Sequence, residues 1–308
     1  MKILVMGSGG VGAFFGARLQ QAGEDLFFCA RNENLRALKE KGLHVKSHQG
    51  DFTLAVRATD NPKEFAPYDL VLFCVKSYDT LASARLLQGC LAGDGIVMTL
   101  QNGVENEEII STVLPRSAVM GANARVGADL VAPGVLMHTA LGVVEFGELD
   151  GRITPRAERL AEVFRRARIL GELTSDLKTV RWHKLMGNNG TNPVSALGRC
   201  SIGAMFADPD GVALMRRLML ETVAVGKAEG AKIDESAVDA QFERLGRMPN
   251  TFAIKPSTLQ DLERGKPLEY DGICGAVLRA ARRHNIPVPA TETVYALLKL
   301  LDSNRPRA

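Results

Sequence analysis

The segment Trp182-His183-Lys184-Leu185-Met186-Gly187-Asn188-Asn189-Gly190-Thr191-Asn192-Pro193 is dense in polar and small residues. Lys184, Asn188 and Asn192 recur at i, i+4 and i+8, a spacing that lines them along one face of a helix. A lysine followed by two carboxamides could act as an acid and positioning donors towards one carbonyl substrate. Asparagine is a poor helix former and Pro193 removes a helical hydrogen bond and kinks the axis, so local propensity opposes a continuous helix here. Such conflict often marks function. The same residues also fit a plainer arrangement, a solvated helix face with a capping asparagine before Pro193. His183 is a second candidate acid, but it lies about 100° around the helix from Lys184.

A second cluster runs from Lys255 to Asp271. Ser257 and Gln260 have the spacing of a capping box, and Gly265 fits a helix stop. Alternatively the Ser257 hydroxyl points at a ligand carboxylate, if the N-terminus of this short helix faces a cleft.

The N-terminus carries a different chemistry. Lys2-Ile3-Leu4-Val5-Met6 reads as a buried strand that runs into Gly7-Ser8-Gly9-Gly10-Val11-Gly12, the G-x-G-x-x-G pattern, at the start of a helix. In this context Gly7 makes the tight turn and Gly9 lets backbone N–H groups approach a pyrophosphate. Gly12 and Gly16 let the helix pack close to the sheet. Sites for NAD place an acid at the end of the second strand to hold the ribose 2′-hydroxyl. Here that position is Arg31, after Leu26-Phe27-Phe28-Cys29-Ala30, and a guanidinium suits a 2′-phosphate. The expected cofactor is NADPH. Glu33 is a rival for the ribose, although it falls in the first turn of the next helix, where acids are common. The lack of an acid at the strand end also weakens an FAD reading.

These groups need a frame. Ile3–Met6, Leu26–Cys29, Leu70–Val75 and Ile96–Leu100 are continuous apolar runs of strand length, expected of strands buried on both faces of a parallel sheet. Gly12–Gln21, Glu33–Glu40 and Thr80–Gln88 are the crossover helices, and further strands are expected over 118–148. After Thr154-Pro155 helical patterns take over, at 155–169, 177–198, 209–230, 234–246, 258–264, 268–284 and 290–302. The expected class is α/β, a Rossmann-type doubly wound sheet over residues 1–172 followed by an all-α domain over 173–308.

Composition closes off other classes. A 46% apolar, 24% charged chain of 308 residues is an ordinary folded protein of one large or two medium domains. Its net charge of +3 comes without a block of like charges, which argues against nucleic acid. No apolar run reaches the roughly 18 residues of a membrane span, and MKILVMGSGG turns glycine-rich too early for a secretory signal. A cytoplasmic protein is expected. Cys29, Cys74, Cys90, Cys200 and Cys274 are odd in number and scattered, as expected of reduced, mostly buried thiols. No His, Cys and carboxylate grouping has metal-ligand spacing.

Together these motifs resemble the ketopantoate reductase family (2-dehydropantoate 2-reductases) over essentially the whole chain. The resemblance is carried by the glycine motif with Arg31, Cys74-Val75-Lys76, Gln101-Asn102-Gly103, and Lys184-x-x-x-Asn188-x-x-x-Asn192-Pro193 with Ser257-x-x-Gln260-Asp261 and Glu269-Tyr270-Asp271. It implies NADPH-dependent reduction of 2-dehydropantoate to pantoate, in pantothenate biosynthesis, in a cleft between the Rossmann and helical domains. It further implies that Lys184 is the general acid and that Glu269 binds substrate and helps position the lysine. Asn188 and Asn192 would contact the substrate's hydroxyl end, Ser257 its carboxylate, and Asn102 would lie beside the reacting centre. Arg31 and Lys76 would hold the phosphate-bearing adenosine side of the cofactor. Many relatives read Thr-Glu and Asn-Gly where this chain has Leu268-Glu269 and Cys274-Gly275. Those departures leave open a bulkier or more apolar 2-oxo acid as substrate. A non-catalytic NADPH-binding sensor is the alternative of another class. The helical half would also be compatible with a homodimer.

Overall fold

The computed structural model describes residues 1–305, apart from the side chain of Leu141. It divides into two compact units. The first comprises Met1–Gln101 with Asn106–Leu177, and the second Asn102–Glu105 with the chain from Lys178 onward.

The first unit is built on ten strands: β1 (Lys2–Met6), β2 (Asp25–Cys29), β3 (Leu43–Ser47), β4 (Phe52–Leu54), β5 (Arg57–Thr59), β6 (Tyr68–Phe73), β7 (Leu91–Thr99), β8 (Val119–Ala132), β9 (Val135–Glu148) and β10 (Leu170–Leu173). Their order is β4-β3-β9-β8-β7-β6-β1-β2-β5, with β10 on β9. From β5 through to β8 all neighbours are parallel. The apolar runs predicted as strands sit here because their side chains are covered on both faces; Ile3, Leu4 and Val5 have no exposed surface. The chain runs outward from β1 to β2, leaves for β3 and β4 at the opposite edge, and returns to place β5 beside β2. It then crosses to β6 on the other side of β1 and continues through β7 to β8, so the winding reverses between β1 and β6. Ligands of such sheets bind beyond the carboxyl ends of the strands at this reversal.

The 118–148 region forms two 14-residue strands, β8 and β9, paired antiparallel, which makes the sheet mixed. Three short strands, β3 to β5, were not expected from the sequence, and β10 occupies residues where the boundary between the two halves was expected. The helix predicted over 155–169 stops at Arg166, and Arg168 then turns with a φ of 54°.

Helices α1 (Gly10–Gln21), α2 (Asn32–Lys41), α3 (Thr80–Leu86), α4 (Asn106–Ser111) and α5 (Pro155–Arg166) complete this unit. Thr154 caps α5 by accepting from the Ala157 amide, with Pro155 in the first turn.

The second unit is helical: α6 (Leu177–Gly198), α7 (Ile202–Ala207), α8 (Pro209–Ala228), α9 (Ser236–Gly246), α10 (Ser257–Glu263), α11 (Ala276–Arg283) and α12 (Pro289–Ser303). Its core gathers Trp182, Leu185 and Met186 from α6 with Met215, Leu218 and Met219 from α8. The predicted helix 268–284 is instead a π-helical turn over Asp271–Gly275 leading into α11. Among the described residues no helix is long and apolar enough to cross a membrane, and no group of three or more His, Cys, Asp or Glu could hold a metal ion.

Candidate active site

In the first unit the candidate cofactor residues stand at the carboxyl ends of parallel strands. Gly7 follows β1 with a φ of 98°, a conformation natural to glycine, and an added Cβ would lie 2.8 Å from the Val75 amide nitrogen. At Gly9 the same Cβ would meet open space, whereas at Gly12 it would lie 2.3 Å from the Gly7 carbonyl oxygen. Gly9 therefore leaves room for a ligand, and Gly12 brings α1 onto the strand end. Gly16 repeats that close approach against Phe28. Across the turn, Gly10 faces the Ala128 carbonyl of β8, 2.3 Å from where its Cβ would stand.

The amino end of α1, at Gly10 and Val11, has no side-chain cap and no acid in its first turn, which fits a pyrophosphate resting on backbone N–H groups. Ser8 is buried, and both its amide and its hydroxyl donate to the Cys29 carbonyl, at 3.2 and 3.0 Å. Its side chain thus ties the end of β1 to that of β2. Arg31 follows β2 on the surface and pairs with Asp79 at 2.6 Å, with 68% of the arginine side chain exposed. Glu33 lies in the first turn of α2 and pairs with Arg36. Lys76 follows β6 and precedes a 3₁₀ turn at Ser77–Asp79.

Gln101 joins the ends of β6 and β7. Its Nε2 donates to the Val75 carbonyl at 2.9 Å and to Thr80 Oγ1 at 2.8 Å, while Thr99 donates to its Oε1 at 3.0 Å. Sequence reasoning gave Gln101 no role beyond its place in a motif. The burial of the thiols matches expectation for Cys29, Cys90 and Cys274, and burial pushes Cys29 up to about 11 and Cys274 to about 12.

All the candidate substrate residues belong to the second unit, Asn102 included. α6 runs unbroken through Pro193, so Lys184, Asn188 and Asn192 do share one helix face. Lys184 and Asn188 are half-buried and Asn192 is buried, while His183 points to solvent.

The most deeply buried asparagine of this stretch was missed. Asn189, fully buried, donates through Nδ2 to Thr222 Oγ1 on α8 at 3.0 Å and to Thr291 Oγ1 on α12 at 3.2 Å. Thr291 in turn donates from its amide and hydroxyl to Glu221, at 2.8 and 2.7 Å. The only sequence signal was the adjacent pair Asn188-Asn189.

Glu269 is buried at the entry to the π-helical turn. Ser257 is exposed at the first residue of α10. The predicted capping box does not form there: Pro256 occupies the cap position, and the Gln260 side chain donates instead through Nε2 to the Lys255 carbonyl at 2.8 Å. The two departures, Leu268 and Cys274, are 3% and 1% exposed and pack in the core of the second unit.

Residues 3–151 match the family model described as Ketopantoate reductase PanE/ApbA, and residues 176–302 match its C-terminal model. A 2-dehydropantoate 2-reductase of Halobacterium salinarum is 32% identical over 97% of this chain and 98% of its own. That of Archaeoglobus fulgidus is 33% identical over 98% of both. The crystal structure of a 2-dehydropantoate 2-reductase from Geobacter metallireducens superposes with a TM-score of 0.92 at 34% identity, covering 97% of this chain and 99% of the other. With both halves matched and full-length relatives above 30% identity, the chain belongs to the ketopantoate reductase family.

Proposed function

We propose that the protein reduces 2-dehydropantoate to pantoate with NADPH. The observation that carries this reading is the row of Lys184, Asn188 and Asn192 on one face of α6, in a chain matched along both halves to the ketopantoate reductase family. When bound, NADPH supplies a hydride to the keto carbon. The pyrophosphate would rest on the uncapped start of α1 across Gly9, and Arg31 and Lys76 would hold the 2′-phosphate side. As charge grows on the keto oxygen, the Lys184 ammonium stabilises it and then delivers its proton. Glu269 supplies the carboxylate that steadies that lysine and binds the substrate. The carboxamides of Asn188 and Asn192 take the hydroxyl end, with Ser257 for the carboxylate.

Leu268 and Cys274 have their side chains in the core, so these two departures are accounted for by packing and do not call for a bulkier, more apolar substrate. The test compares 2-dehydropantoate with 2-oxoisovalerate, which lacks the terminal hydroxyl, by the absorbance of NADPH. A site built for that hydroxyl is expected to prefer 2-dehydropantoate by up to ~10⁴ in kcat/KM. Equal efficiency, or preference for the apolar acid, would move the chain to another 2-oxo acid; no turnover with any 2-oxo acid would make it a sensor.

A further inference from the structure

Residues Asn102 to Glu105 follow β7 in the chain yet belong to the helical unit. Three kinds of contact hold them there. Arg181 Nη2 donates to the Gly103 carbonyl at 2.9 Å, and Val104 packs against the helical core. The Arg279 guanidinium grips the Glu105 carboxylate, with Nε 3.1 and 3.2 Å from its two oxygens and Nη2 2.7 Å from Oε2. Gly103, with a φ of 99°, provides the turn that this path requires.

Arg279 is braced from its other side. Its Nη1 donates to Asp271 Oδ1 at 3.0 Å and its Nη2 to the Asp271 carbonyl at 2.9 Å, while Tyr295 donates its hydroxyl to the same Oδ1 at 3.0 Å. Gly275 makes the space: a Cβ there would stand 2.5 Å from Asp271 Oδ1 and 3.0 Å from Arg279 Nη1. Asp271 opens the π-helical turn over Asp271–Gly275 and Arg279 follows it on α11, and such turns recur at functional sites.

One guanidinium therefore joins two segments. Three residues before Glu105 stands Asn102, and two residues before Asp271 stands Glu269. We propose that Arg279, held between Glu105 and Asp271, is a positioning residue that fixes Asn102 and Glu269 relative to each other. The proposal rests on the function proposed above, in which both residues serve the reacting centre. Arg279 is 40% and Glu105 26% exposed on their side chains, so the pair adds little to stability, about 0–1 kcal/mol for a pair near the surface. Its value lies in geometry, since a displacement of about 1 Å at a reacting centre can cost ~10²-fold in rate.

The test uses the full chain with Arg279→Gln, Arg279→Lys, Glu105→Gln and the Arg279→Gln/Glu105→Gln double variant. Arg279→Gln is expected to lower kcat roughly 10- to 100-fold while the NADPH dissociation constant stays within about two-fold. Glu105→Gln, of the same shape as the native side chain, is expected to lower kcat in the same direction, and decides the matter if Arg279→Gln fails to fold. The double variant is no worse than Arg279→Gln alone, because one link is lost either way. Arg279→Lys recovers part of kcat, keeping the charge without the fork. In the cofactor-free protein, amide hydrogen exchange over residues 102–105 is expected to quicken by about 2- to 5-fold in Arg279→Gln, with global unfolding little changed. Unchanged kcat, unchanged exchange at 102–105, or additive losses in the double variant would each overturn the proposal. Asn102→Ala and Glu269→Ala run alongside. If these lower kcat and Arg279→Gln does not, only the positioning role fails; if they leave kcat intact, the site reading fails and takes the proposal with it.

Discussion

Arg31→Ala is expected to weaken NADPH binding about 10- to 30-fold and to leave NADH binding within about two-fold. The magnitude follows from what Arg31 already holds. Its guanidinium lies 2.6 Å from Asp79, but 68% of its side chain and 32% of that of Asp79 are exposed, so this pair is worth about 0–1 kcal/mol. A hydrogen bond to a charged group is worth roughly 1.5–3 kcal/mol, and a phosphate offers several oxygens to a forked donor. Exchanging Asp79 for a 2′-phosphate leaves a net gain of about 1.5–2 kcal/mol, which is the fold-change above. Asp79 is then a competitor, and Asp79→Asn is expected to tighten NADPH by no more than about 5-fold. Calorimetric titration of both cofactors against wild type, Arg31→Ala and Asp79→Asn, at one fixed ionic strength, reads all of these constants. Equal weakening of NADPH and NADH in Arg31→Ala would refute the assignment. Weaker NADPH binding in Asp79→Asn would show that the acid supports the site rather than competing for it.

Lys184→Ala is expected to lower kcat by roughly 10² to 10⁴ with NADPH affinity nearly unchanged, measured by steady-state rates and cofactor titration; unaltered turnover would remove the lysine from the chemistry. Asn189→Ala takes the buried donor away from Thr222 and Thr291 and should cost about 1–3 kcal/mol in urea unfolding, so a loss below about 0.5 kcal/mol would show that this network does not clamp α6. Glu148 gives an acid-side signature. Burial raises its pKa, but hydrogen bonds from Arg156 and Thr154 and the Arg156 charge outweigh burial and leave it lowered. Its contribution is therefore full above the unfolded value of about 4.3 and disappears as pH falls through the lower folded value. Thermal unfolding of Glu148→Gln should show a flatter loss of stability below about pH 4.3 than wild type, and parallel curves would count against the pairing.

The strands of the parallel core were legible because burial on both faces leaves continuous apolar runs, as in Ile3–Met6 and Leu70–Phe73. β3, reading Leu-His-Val-Lys-Ser, has only two buried residues, and β4 and β5 have three residues each, too short to show a period. The row on α6 could be read from its spacing alone, since helical period is a local property. What the buried Asn189 demands is tertiary: it finds its partners 33 and 102 residues away. The helix drawn over 268–284 ignored Gly272 and Gly275, and the second of these opens space for an ion pair that no local pattern reveals. The expected cap at Ser257 failed because Pro256 takes that position, moving the serine one residue into the helix. The tie between Arg31 and Asp79 spans 48 residues and was equally invisible.

The strip from Asn102 to Glu105 makes the chain less modular than its two matched halves suggest. The polypeptide passes from one compact unit to the other three times, after Gln101, after Glu105 and after Leu177. A chimaera spliced only at the last crossing would bring a foreign Gly103, Val104 and Glu105 to the Arg181 and Arg279 of a different parent. The helical half expressed alone from Lys178 would lack the same four residues and expose the surface on which Val104 packs. Recombination within the family therefore has to transplant the tetrapeptide together with the helices, as a three-cut exchange, for Val104 and Glu105 to keep the packing and the ion pair that hold them.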